Sequence, residues 1–147
     1  MSLISESKKD VVSAESLRAK VVRPVQSYGG LSVATATYEF GLNGGAISSI
    51  SLKLNKTIPS GAIVVQVLTN ATAALTSGGA ATGAFGLNAA GDLIAATIVA
   101  GVPWTALPKN YSTLNLAATA DRSTVLFDIA VATLTAGKCV FRVLYLQ

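Results

Sequence analysis

From Leu31 onward, turn residues cut the chain into short runs at a spacing of about 8–12 residues, and most of those runs alternate apolar with polar. In "LSVATATYEF" (31–40), Ala34, Ala36, Tyr38 and Phe40 share one face while Val33, Thr35, Thr37 and Glu39 share the other. "AISSISLKLN" (46–55) places Ile50, Leu52 and Leu54 against Ser49, Ser51 and Lys53, and "RSTVLFDIAVA" (122–132) places Val125, Phe127, Ile129 and Val131 inward with Asp128 outward. "AIVVQVLTN" (62–70) is apolar almost throughout, as expected of a strand with neighbours on both sides. Further runs lie at Ala80–Leu87, "LIAATIV" (93–99) and "YSTLNLAAT" (111–119), and "LTAGK" (134–138) reads as the turn into a last strand. No helical segment of about 10–15 residues separates these runs, so parallel βαβ units are excluded. The expected fold is all-β: an antiparallel β-sandwich of jelly-roll type with about eight strands, spanning residues 31–147.

The first 30 residues are different. They hold eight of the chain's 18 charged side chains and end in "RPVQSYGG", where Pro24 and the Gly29–Gly30 pair mark a boundary. Residues 1–30 therefore read as an N-terminal arm, with a short helix possible between Val11 and Val22. The opening "MSLISESKKD" carries no apolar core of a secretory signal. The best apolar run, 93–107, is broken by Gly101 and Pro103 before it reaches the length of a membrane-spanning helix, so no membrane partner is expected.

Chemistry is constrained by what the composition omits. There is no histidine and only one cysteine, Cys139, so Ser–His–Asp or Cys–His nucleophiles and Cys/His zinc sites cannot be assembled. The carboxylates after the arm are Glu39, Asp92, Asp121 and Asp128, each with a plain reading as a turn or surface residue; Asp121 is expected to bond nearby backbone amides. "GLNGG" and "SGGAATGAFG" lack the Lys-Ser/Thr of a phosphate-binding loop. An enzyme, a cofactor and a metal are not expected. The net charge of +4 is thinly spread and not interleaved with aromatics, so nucleic acid is not an expected partner either.

Assembly is what the composition favours. Hydrophobic residues make up 51% of the chain and charged residues 12%, about half the globular norm of roughly 25%. In the closing "IAVATLTAGKCVFRVLYLQ" (129–147), Cys139, Phe141, Val143 and Tyr145 lie on one face. Val140, Leu144 and Leu146 lie on the other, broken only by Lys138 and Arg142. A strand apolar on both faces needs two covers. The second is either a loop of the same chain, such as 100–110, or another subunit.

The stretches "TYEFGLNGGAISSISLKLNKTIPSGAIV" (37–64) and "LNLAATADRSTVLFDIAVATLTAGKCVFRVLYL" (114–146) resemble small virion proteins of tailed bacteriophages, of the capsid-decoration or head-fibre type. The chain departs from that pattern in "TADRS", where "TAARS" is usual, and at Cys139, where Phe or Asn is common. The resemblance implies a homotrimer standing on the shell of a major capsid protein, located on the capsid surface of the virion and made in the host bacterial cytoplasm. Val140, Leu144 and Leu146 then become candidate subunit contacts around a three-fold axis. Lys8, Lys9, Arg18, Lys20 and Arg23 become candidate anchors of the arm on the capsid. The competing expectation is a host-receptor or glycan-binding tip on a similar sandwich, for which Tyr28, Trp104 and Tyr111 are the available aromatic platforms.

Overall fold

The computed structural model describes residues 30–101, 104, 109–111 and 116–147. The arm and its five basic anchors, most of the 100–110 crossing, and Leu114 lie outside the described residues.

The described residues form β1 (Leu31–Glu39), a single helical turn α1 (Phe40–Asn43), β2 (Ser48–Ile58), β3 (Ile63–Ser77), β4 (Thr82–Gly86), β5 (Ile94–Ile98), β6 (Lys109–Tyr111), β7 (Leu116–Ala117), β8 (Arg122–Ala130) and β9 (Leu134–Leu146). They make two antiparallel sheets. One has the order β1-β9-β3-β6, with β7 also pairing with β3; the other has the order β2-β8-β4-β5. The chain crosses between the sheets at every connection except β4–β5 and β6–β7, and the first and last strands are neighbours. This is the jelly-roll arrangement expected from the turn spacing.

The period-two pattern fills the space between the sheets. Tyr38 from β1 and Cys139, Phe141, Val143 and Tyr145 from β9 are fully buried, as are Val125, Phe127 and Phe85 from the facing sheet. Phe85 and Phe141 stack across the gap with centroids 4.1 Å apart and planes 9° from parallel. Phe127 lies 5.8 Å from Phe141, and Trp104 packs 5.4 Å from Phe127. Each such contact adds about 0.5–1.5 kcal/mol beyond the area it buries. Trp104 plugs the core, as its place between two prolines suggests, and its indole N–H donates to Thr97 Oγ1 at 2.8 Å.

Two irregularities shift what simple alternation predicts. In β3 the register slips between Val64 and Gln66, so the inward residues Val64 and Val67 are three apart instead of two. That bulge breaks the alternation of "AIVVQVL" at Val65, the residue skipped in the pairing with β9. In the closing hairpin the expected turn at 134–138 is already strand; the chain reverses at Val131–Thr133. Gly137, which suggested the turn, instead sits within β9 at φ +133, where an added Cβ would come within 2.7 Å of Leu75 Cα. Glycine here marks close approach of two backbones inside a sheet.

Candidate assembly surfaces

The register of the first sheet places side chains on its outer face in rows across β1, β9 and β3. Leu31, Leu146 and Ile63 form one row, and Val33, Leu144 and Gln66 the next. Thr35, Arg142 and Leu68 follow, then Thr37, Val140 and Asn70, and finally Glu39, Lys138 and Ala73. Two of the residues singled out by sequence, Leu144 and Leu146, are thus brought together. Val140 stands two rows from Leu144, between polar neighbours and beyond Arg142. Leu31, Val33, Ile63 and Leu146 are exposed, at 55%, 40%, 39% and 44%. Leu144 and Val140 are half-buried by the strands beside them.

The face is therefore divided. One half is aliphatic and lies where β1 begins and β9 ends; the other is polar and ends in the Glu39–Lys138 ion pair at 3.5 Å. That pair is solvated and contributes on the order of 0–1 kcal/mol. Sequence reasoning missed Leu31, Val33 and Ile63, since only the strand pairing shows that they flank Leu144 and Leu146.

The opposite end of the sandwich carries the other exposed large hydrophobics of the described residues: Leu42 at 82%, Val131 at 70%, Ile98 at 56% and Ile47 at 55%. They stand on connections that interlock. Leu134 N–H donates to Gly45 O at 2.8 Å, Ser77 Oγ–H to Thr133 O at 2.7 Å, and Val99 N–H to Ala81 O at 3.0 Å.

The candidate chemical groups resolve into structural roles. Asp92 accepts the backbone N–H groups of Leu87, Asn88 and Ala89 at 2.7, 2.9 and 3.1 Å, folding the β4–β5 loop around its carboxylate. Asp121 bonds a backbone amide, one that is near in space and distant in sequence. It accepts the N–H of Ser60 at 2.8 Å, tying the β2–β3 turn to the start of β8. Cys139 is fully buried, and burial pushes its thiol up to about 12, with a backbone hydrogen bond at Asn70 partly opposing. Such a thiol is a packing group and not a nucleophile. Trp104 has no exposed surface and cannot serve as a stacking platform for a sugar. Among the described residues no three His, Cys, Asp or Glu side chains cluster to hold a metal ion. A shallow groove lined by Thr35, Thr37, Lys53, Leu54 and Asn55 runs between β1 and β2, closed by the Thr35 N–H donating to Asn55 Oδ1 at 2.7 Å.

No protein-family model matches the chain, and no curated protein matches it by sequence. Among solved structures it is similar to a chain of the capsid asymmetric unit of cyanophage Pam1, with a TM-score of 0.60 and 20% identity, covering 80% of this chain and 85% of that one. It is similar as well to a chain of the acid-stable capsid of the Helicobacter pylori bacteriophage KHP30, with a TM-score of 0.58 and 19% identity, covering 82% and 90%. At these identities the shared property is the fold.

Proposed function

We propose that this chain is a non-enzymatic structural protein of a bacteriophage virion that decorates or cements the capsid as a homotrimer. Its residues 1–30 act as an arm on the major capsid protein. The observation that carries the reading is the end-to-end likeness to chains of two phage capsids, over 80% or more of every chain compared. The surface agrees with it. An aliphatic half-face around Leu144 and Leu146 is what a subunit contact requires, and the buried Cys139 and dispersed carboxylates offer no reacting group.

In this reading the outer face of the first sheet meets a symmetry-related copy, with Leu144 and Leu146 at the contact and Val140 nearer its polar rim. Lys8, Lys9, Arg18, Lys20 and Arg23 give the arm a polar, adaptable footing on the shell, and three arms per trimer multiply its hold. Deleting residues 1–30 tests the assignment. The expected product is a folded trimer by native mass measurement that no longer co-sediments with capsids; a truncated protein that still decorates them removes the arm from the account.

A further inference from the structure

The connections at the end of the sandwich opposite Leu31 and Leu146 have a property that the outer face lacks: among the described residues they carry no charge, the Glu39–Lys138 pair lying at their margin on the outer face. The segments 40–48, 77–82, 98–101 and 130–134 contain no Asp, Glu, Lys or Arg. Apart from Phe40, Asn43, Val99 and Leu134, they are built from Gly, Ala, Ser and Thr around the exposed Leu42, Ile47, Ile98 and Val131. Two hydrogen bonds between their backbones and one from the Ser77 hydroxyl hold them as one surface. Strand pairing continues it, because Thr82 is flanked by Ala130 on one side and Ile98 on the other.

Val131 supplies a second, independent sign. It has φ +71, and Ala132 N–H donates to Ala130 O at 2.9 Å across it, a γ-turn with positive φ. A β-branched residue is strained there, and glycine or asparagine would not be. With 70% of its surface exposed, Val131 returns little packing within its own chain. A strained, outward-pointing valine is what an outside contact would retain.

We infer that this tip is a contact surface for a second copy of the chain, separate from the outer face of the first sheet. The charge distribution selects the occupant. Each copy carries +4, so two copies repel wherever their bases meet, and a neutral surface is where identical molecules join without like-charge cost. The size also fits. A specific contact takes roughly 20–30 residues a side, and the four segments supply about that number. A contact without charges holds its strength as salt rises.

The test is sedimentation of the full-length protein over a concentration series, using Leu42→Asp, Leu42→Lys and Val131→Asp. Leu42 and Val131 are exposed enough for these changes to leave the fold intact, which far-UV and near-UV circular dichroism check. Each variant is expected to weaken self-association at least tenfold, and wild-type association is expected to hold between about 0.05 and 0.5 M salt. An equimolar mixture of Leu42→Asp with Leu42→Lys is expected to regain association, because opposite charges then face each other. Variants that sediment as wild type, or a mixture that stays dissociated, overturn the inference. Leu146→Asp, run alongside, probes the outer face. A change there with unaltered tip variants sinks the tip contact and leaves the proposed function standing, and the reverse result does the opposite.

Discussion

Tyr38 and Cys139 stand directly opposite each other on β1 and β9, both with no exposed surface, and burial pushes each of them up to about 12. Their ordinary values are 10.0 and 9.0. The folded state holds both protons where the unfolded chain has begun to release them, so their contribution to stability is complete below about pH 9. It is lost as pH rises from there toward 12. Urea midpoints are expected to be level from pH 7 to 8.5 and to fall steadily above pH 9. Cys139→Val, which keeps an apolar side chain of similar size, should delay the onset to about pH 10, where Tyr38 alone remains.

Phe141 is the hub of the aromatic core, 4.1 Å from Phe85, 5.8 Å from Phe127 and 6.0 Å from Trp104. Phe141→Ala leaves a cavity that rigid neighbouring strands cannot close, and is expected to cost about 3–5 kcal/mol. Phe141→Leu should cost less than half of that. Chemical denaturation at neutral pH measures both, and equal losses would indicate that the ring contacts, and not the volume they fill, carry the contribution.

These inner faces were legible in the sequence because alternation writes them directly: Val125, Phe127 and Ile129 on β8, and Phe141, Val143 and Tyr145 on β9; Val131, expected inward with the first three, instead stands exposed because β8 ends at Ala130. Features that depend on pairing between distant strands were not. The bulge at Val64–Gln66 and the continuation of β9 through Gly137 both break local rules for the sake of backbone fit, so Gly137 looked like a turn. Leu144 and Leu146 could be singled out on one strand, but Leu31, Val33 and Ile63 join them only once the register is known. The tip was illegible for the same reason: Leu42 and Ile47 stand on the β1–β2 connection, Ile98 at the end of β5 and Val131 in the β8–β9 turn.

The strain at Val131 makes a stability prediction that runs against the usual direction. Val131→Gly removes a cost of about 1–3 kcal/mol at φ +71 and adds about 0.5–1 kcal/mol of unfolded-chain entropy. The variant should be more stable by about 1 kcal/mol, seen as a higher denaturation midpoint, while its self-association weakens. Lower stability would show that the γ-turn is not strained.

The β4–β5 loop depends on one carboxylate and one glycine. Asp92 gathers three backbone N–H groups, and an added Cβ on Gly86 would lie 1.9 Å from Ala89 O. Asp92→Ala is expected to cost about 2–3 kcal/mol, since each partner loses a charge-assisted bond and only some regain water. Gly86→Ala forces the loop off β4. Hydrogen exchange at Leu87, Asn88 and Ala89 should accelerate in both variants, with β8 and β9 amides much less affected; uniform acceleration would mean that the loop is no separate unit.

The division of the first sheet's outer face into an aliphatic and a polar half sets the last expectation. If copies meet through this face, the contact energy resides in the rows of Leu146 and Leu144, where aliphatic side chains from three strands lie side by side. It does not reside in the row of Thr37, Val140 and Asn70. Leu146→Asp puts a charge into a surface that must be dried on contact, and should weaken association at least tenfold, or about 1.4 kcal/mol. Thr37→Asp, in the row beyond Arg142 from that patch and also exposed, should change it less than twofold. Both proteins should unfold cooperatively near the wild-type temperature, because neither side chain reaches the core. Native mass measurement over a dilution series separates them; a Thr37→Asp effect equal to that of Leu146→Asp would shift the contact to the polar half and onto Val140.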